Sequence, residues 1–125
     1  MTEGKKKILF IEDEPDQRLI LAMRLKKDGF TVLEAENGLK GLEKAVKEKP
    51  DLILLDIIMP GIDGLEVTRR LRKNPVTKGI PIVTATAAGL DDVEHKCFAA
   101  GADECVRKPY DSAELLAKIR RLLEK

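Results

Sequence analysis

The sequence predicts an α/β domain in which a five-stranded parallel sheet carries helices on both faces. Three observations lead there. Ile8-Leu9-Phe10-Ile11 and Leu52-Ile53-Leu54-Leu55 are unbroken apolar runs with polar flanks, the pattern of strands buried on both sides. Strand-like and helix-like segments alternate five times along the 125 residues. The connections are short, which suits parallel strands joined by right-handed crossovers.

Each element has its own signal. The first strand runs directly into Glu12-Asp13. Asp16 to Asp28 reads as a helix with apolar positions Leu19, Ile20, Met23 and Leu25, stopped by Gly29. Phe30 to Ala35 is a short strand rich in β-branched and apolar residues, and Asn37-Gly38 is a turn. Leu39, Leu42 and Val46 then recur at helical spacing until Pro50 ends the segment. The third strand ends in Asp56, and Met59 to Gly64 forms a loop of turn residues. Leu65, Thr68 and Leu71 mark a third helix, and Ile80 to Thr86 a fourth strand. Leu90, Val93, Cys97 and Ala100 share one face of a fourth helix, after which Gly101-Ala102-Asp103 turns into a fifth strand, Glu104 to Arg107. Asp111 with Glu114 resembles a capping box for the last helix, whose inner side carries Leu115, Leu116, Ile119, Leu122 and Leu123.

Composition narrows the function. The 23 basic and 22 acidic side chains nearly cancel, so the broad electropositive footprint of a nucleic-acid binder is absent. Lys5-Lys6-Lys7 and Arg69-Arg70-Leu71-Arg72-Lys73 read as a solvated arm and a solvated helix face. No apolar stretch approaches the roughly 20 residues of a membrane span, and the N-terminus lacks a signal-peptide pattern. Membrane insertion is therefore not expected, and cytoplasm is the expected compartment. Cys97 and Cys105, with one histidine in the chain, do not make a zinc site and read as buried free thiols. No repeat, low-complexity tract or linker interrupts residues 1–125, which are expected to be one domain with no second, output domain in this chain.

The acids at the strand ends propose a site. In open α/β sheets ligands bind at the carboxyl ends of strands. Glu12-Asp13 and Asp56 would meet there, and three carboxylates at one edge repel unless a cation sits among them. A hard divalent cation with oxygen ligands is the natural occupant.

Together these residues give the chain a specific resemblance over essentially its whole length. The acidic pair Glu12-Asp13 follows strand one, and Asp56 with Met59-Pro60-Gly61-Ile62-Asp63-Gly64 follows strand three. Thr86-Ala87 follows strand four, and Lys108-Pro109 follows strand five. In that order they resemble a response-regulator receiver domain, the phosphoacceptor module of two-component signalling, in the single-domain, chemotaxis-regulator style. The resemblance implies a flavodoxin-like three-layer fold with strand order 2-1-3-4-5. It implies phosphorelay chemistry in which a sensor histidine kinase or histidine phosphotransfer protein delivers a phosphoryl group to Asp56. It also implies Mg²⁺ held by Asp13, Asp56, the backbone carbonyl of Ile58 and Glu12, directly or through water. The chain would catalyse only its own phosphorylation and dephosphorylation.

The residue types suit those roles. An Asp56 carboxylate can act as nucleophile and become an acyl phosphate. Lys108 offers a compact positive charge to a phosphoryl oxygen, and the family's cis bond before Pro109 would turn it toward the site. Thr86 offers a hydroxyl to the same group. Glu14, Asp63 and His95 read as solvated.

Other classes fit less well. A nucleotide or flavin binder wants a glycine- or hydroxyl-rich phosphate cradle after strand one, where this chain has Glu12-Asp13-Glu14-Pro15. A docking module that has lost phosphorylation would not need Asp13, Asp56, Thr86 and Lys108 together.

The chain departs from the family at Cys105, where many receivers place an aromatic ring that moves on activation. A thiol has no such ring, so the downstream partner's surface, shared by the fourth helix, fifth strand and final helix, is expected to respond mainly through residues 86–100. Ile58 and Ala88, two positions beyond Asp56 and Thr86, are apolar and cannot orient a hydrolytic water. A long-lived phosphorylated state is expected.

Overall fold

The computed structural model describes residues 5–87 and 91–124. Its elements alternate strictly: β1 (Lys7–Ile11), α1 (Pro15–Lys27), β2 (Thr31–Ala35), α2 (Gly38–Glu48), β3 (Leu52–Asp56), α3 (Gly64–Lys73), β4 (Ile82–Ala87), α4 (Asp91–Ala100), β5 (Glu104–Lys108) and α5 (Ser112–Leu123). The strands form one parallel sheet in the order β2-β1-β3-β4-β5. This is the flavodoxin-like arrangement, with the crevice beside β1 and β3 where strand order reverses.

The apolar runs fill both sides of that sheet. Ile8 to Ile11 and Leu52 to Leu55 are wholly buried. Because successive strand side chains point to opposite faces, they divide between two cores. Ile8, Phe10, Leu52 and Leu54 pack with Leu21 and Leu25 of α1 and with Leu115, Leu116 and Ile119 of α5. Leu9, Ile11, Ile53 and Leu55 pack with Ala45, Val67, Leu71 and Cys97 from α2, α3 and α4. Each large apolar side chain buried this way stabilises the fold by roughly 1.5–3 kcal/mol before entropy is counted.

Two helices turn differently from their apolar spacing. On α1, Leu21, Ala22 and Leu25 are buried, whereas Leu19, Ile20 and Met23 are exposed. On α2, the inner face is Gly38, Gly41 and Ala45, while Leu39 and Val46 are exposed and Leu42 is half-buried. Close approach explains α2. A Cβ at Gly38 would stand 2.7 Å from Ile62 Cγ1, and one at Gly41 2.8 Å from Ile11 Cγ1, so larger side chains are pushed outward.

The basic runs also carry structure. Lys7 begins β1, its N–H donating to Asp51 Oδ2 and its Nζ to the Glu48 carbonyl, each at 2.7 Å. Arg72, read from sequence as solvated, ties α3 to the start of β4 and β5. It donates to the carbonyls of Gly101 (2.8 Å), Ile80 (2.6 Å) and Lys78 (3.0 Å) and to Asp103 Oδ2 (2.7 Å). Asp103 also accepts from the Ile82 N–H at 2.8 Å.

Candidate functional site at the carboxyl edge of the sheet

β1 and β3 pair in register from Ile8↔Leu52 to Ile11↔Leu55, so the residues that follow leave the sheet side by side. Glu12 and Asp56 are buried and Asp13 is half-buried. Oxygens from all three carboxylates lie within 4.8 Å of one another. The donor set is hard, anionic and all-oxygen, which fits a divalent cation such as Mg²⁺.

Lys108 reaches the same point from β5. Its Nζ lies 2.8 Å from Glu12 Oε1, 3.2 Å from Asp56 Oδ2 and 2.9 Å from Gln17 Oε1. The Lys108-Pro109 peptide bond is cis. Burial pulls the Lys108 pKa down, but its bonds to Glu12 and Asp56 outweigh that and hold it above its ordinary value. Glu12 is raised, first by burial and further by the Asp56 charge, with Lys108 opposing. Thr86 is buried near the end of β4, one residue beyond Ala85, the register partner of Asp56.

The loop after β3 is shaped by Gly64. A Cβ there would press on the Asp56 carbonyl and stand 2.6 Å from Ile57 Cα. Its N–H donates to the Ile57 carbonyl at 2.7 Å, closing α3 against the strand end that carries Asp56. Ile57 and Met59 turn inward and are buried, leaving the Ile58 side chain 60% exposed. Ala88 and Leu90 lie outside the described residues.

Several neighbours were not legible as site residues. Glu14 and Asp63, read as solvated acids, cap helices: Glu14 accepts from Gln17 N–H at 2.8 Å and Asp63 from Glu66 N–H at 2.9 Å. The Asp63-to-Glu66 spacing is itself a capping signature. Gln17 reaches Lys108 from the first turn of α1, and nothing in its sequence spacing marks it. Arg18 donates to the Glu12 carbonyl at 2.7 Å. Tyr110 has a buried hydroxyl with no hydrogen-bond partner among the described residues. Burial, then the charges of Glu12 and Asp56, raise its pKa. Gln17, Ile20, Arg24, Lys108, Pro109 and Tyr110 line a groove of about 570 Å³ beside the site. His95 is exposed, as its position on the helix predicted.

Residues 8–120 match the family described as the response regulator receiver domain. The chain belongs to that family. It is 39% identical over 119 residues to the DNA-binding dual master transcriptional regulator RpaA of Synechocystis, covering 95% of this chain and 49% of that protein. It is 38% identical over 117 residues to Protein PilH of Pseudomonas aeruginosa, covering 94% of this chain and 97% of that one. The chain thus spans about half the length of regulators such as RpaA but nearly all of PilH. Among solved structures, it resembles response regulator TrrA of Thermotoga maritima in complex with Mg²⁺-BeF. The TM-score is 0.84 at 38% identity, covering 94% of this chain and 98% of that one. This receiver domain is therefore a two-component signalling module. No helix among its described residues is long and apolar enough to cross a membrane.

Proposed function

We propose that this receiver accepts a phosphoryl group on Asp56 from the phosphohistidine of a sensor histidine kinase or a histidine phosphotransfer protein. The observation that carries this reading is the three-carboxylate cluster with Lys108 Nζ against two of its members, 2.8 Å from Glu12 and 3.2 Å from Asp56.

One Asp56 carboxylate oxygen attacks phosphorus in line with the departing imidazole nitrogen. The new O–P bond forms as the N–P bond breaks, and the electron pair leaves with the imidazole. Lys108 meets the charge on the arriving phosphoryl oxygens, exchanging a carboxylate partner for a phosphoryl one. Thr86 donates its hydroxyl to another of those oxygens. Glu12, Asp13, Asp56 and the Ile58 carbonyl would hold Mg²⁺, which when bound supplies charge neutralisation for the cluster and the transferring group. The exposed Leu19, Ile20 and Met23 give the donor protein an apolar surface on α1, the helix that also carries Gln17. The downstream partner is read at α4, β5 and α5, and a change there transmits the signal.

Incubation with acetyl phosphate and Mg²⁺, followed by intact mass, tests the reading. One phosphoryl group should be gained, and the gain should vanish with a chelator or in Asp56→Asn. Full uptake by Asp56→Asn would overturn the assignment.

A further inference from the structure

Behind the carboxylate edge, in the layer between the sheet and α4, lie the chain's two cysteines. Cys97 projects from α4 and Cys105 from β5, and both are buried and free. Their sulfurs share a hydrogen bond at 3.7 Å. Thr84, wholly buried, is the β4 residue in register with Cys105. A disulfide requires sulfurs about 2.05 Å apart, so closure needs only a further ~1.7 Å from side-chain rotation and a small approach of α4. With two cysteines in the chain, one intramolecular pairing exists and no scrambled isomer can form.

Access and reactivity both favour Cys105. It lines a groove of about 300 Å³ between α4 and α5, together with Glu94, Arg107, Tyr110 and Lys118. That opening admits a water-sized oxidant, whereas Cys97 is fully enclosed. A Cys105 thiolate accepts a hydrogen bond from the Cys97 thiol, which lowers the Cys105 pKa and raises that of Cys97. Because Cys105 lines the groove and Cys97 is enclosed, Cys105 is the attacking sulfur and Cys97 the resolving one.

We propose that Cys97 and Cys105 form a peroxide-responsive thiol pair whose disulfide pins α4 to β5. The Cys105 thiolate attacks one peroxide oxygen; an S–O bond forms, the O–O bond breaks and hydroxide leaves, taking a proton to become water. Cys97 then loses its proton and attacks the Cys105 sulfur; the S–S bond forms and the S–O bond breaks, releasing a second hydroxide that is likewise protonated. Two thiols and one hydrogen peroxide become one disulfide and two waters. A dithiol reductant reverses the step by exchange. The proposal goes beyond the phosphoacceptor reading and uses none of its chemistry.

The folded protein treated with hydrogen peroxide, then quenched with catalase, unfolded and alkylated with N-ethylmaleimide, tests it. The expected product is a monomer lighter by two hydrogen atoms that takes no maleimide and regains two after dithiothreitol. Cys97→Ser and Cys105→Ser should each abolish that species. Two maleimides on the treated wild type, oxidation that yields only disulfide-linked dimers or sulfinic acid, or the same lightened monomer from either single variant would overturn the pair. Amide exchange across residues 92–100 should slow in the oxidised form, and equal rates in the two forms would overturn the pinning.

Discussion

At the amino end of the sheet, Arg72 meets three backbone carbonyls and the carboxylate of Asp103. At the carboxyl end, Lys108 pairs with Glu12 and Asp56, two of a cluster of three carboxylates that Asp13 completes. Each end ties strand termini together through one partly buried cation. At the amino end four of the five N–H donors of the planar guanidinium meet fixed protein acceptors, so the cation is committed to the fold. At the carboxyl end anionic charge exceeds the cation that holds it, and a point-like ammonium can change partners without rebuilding a network. Completing a charged cluster makes architecture, and leaving it incomplete makes a site.

Substitutions at the two ends should separate these uses. Arg72→Ala is expected to cost about 2–3 kcal/mol in urea unfolding, because three carbonyls lose this donor together and Asp103 keeps only the Ile82 N–H. Phosphoryl uptake per folded molecule should stay at the wild-type level; a matching loss of uptake would mean that the amino end also serves the chemistry. Lys108→Ala should do the reverse. Removing the positive charge should tighten Mg²⁺ binding by about tenfold, equivalent to ~1.4 kcal/mol, when measured by calorimetric titration. The phosphate-induced response should weaken. Unchanged or looser Mg²⁺ binding would show that the ammonium does not compete for these carboxylates.

The pH dependence of stability gives a finer contrast. Glu12 has a folded pKa above its ordinary 4.5, so the native state holds its proton longer than the unfolded chain does. Its contribution is most favourable below 4.5 and is lost as pH rises through the raised folded value. Without divalent cation, the wild type should therefore lose stability relative to Glu12→Gln across that window, by less than the Arg72 effect. Thermal melts of both proteins against pH would show it, and parallel curves would remove Glu12 from the unbalanced charge. Ile58 carries the smallest expected effect. Asn at this position should orient a water and speed loss of phosphate about threefold, under 1 kcal/mol in barrier; equal or slower decay would count against the apolar residue as a brake.

Much of this contrast is visible in the sequence at one end only. The carboxyl edge is legible because β1 and β3 are continuous apolar runs with acids directly after them, and the parallel pairing makes those acids neighbours. Arg72 is hidden in a run of basic residues whose other members are exposed, and only its partners distinguish it. The inner faces of α1 and α2 misled for a related reason. Apolar spacing identifies a stripe, but Leu19, Ile20 and Met23 lie on the solvent side, and α2 buries Gly38, Gly41 and Ala45 while Leu39 and Val46 are exposed. Small residues carry almost no hydrophobic signal, although they mark the closest contact. The two thiols are the same kind of case: that each is buried is readable, but their mutual distance depends on where α4 sits over β5.

The glycine face of α2 has a consequence for how the helix finds its angular setting. Advancing the helix by one residue turns it about 100°. Lys40 or Leu42 would then stand where Gly41 now stands, against Ile11, in a space that a single Cβ already overfills. An all-leucine face could settle at several rotations of similar energy, since one leucine replaces another at little cost. Gly38 and Gly41 admit one orientation and penalise its neighbours sterically. The helix is keyed to the sheet as a notched shaft is to its bore, leaving Leu39 and Val46 free to vary on the outside.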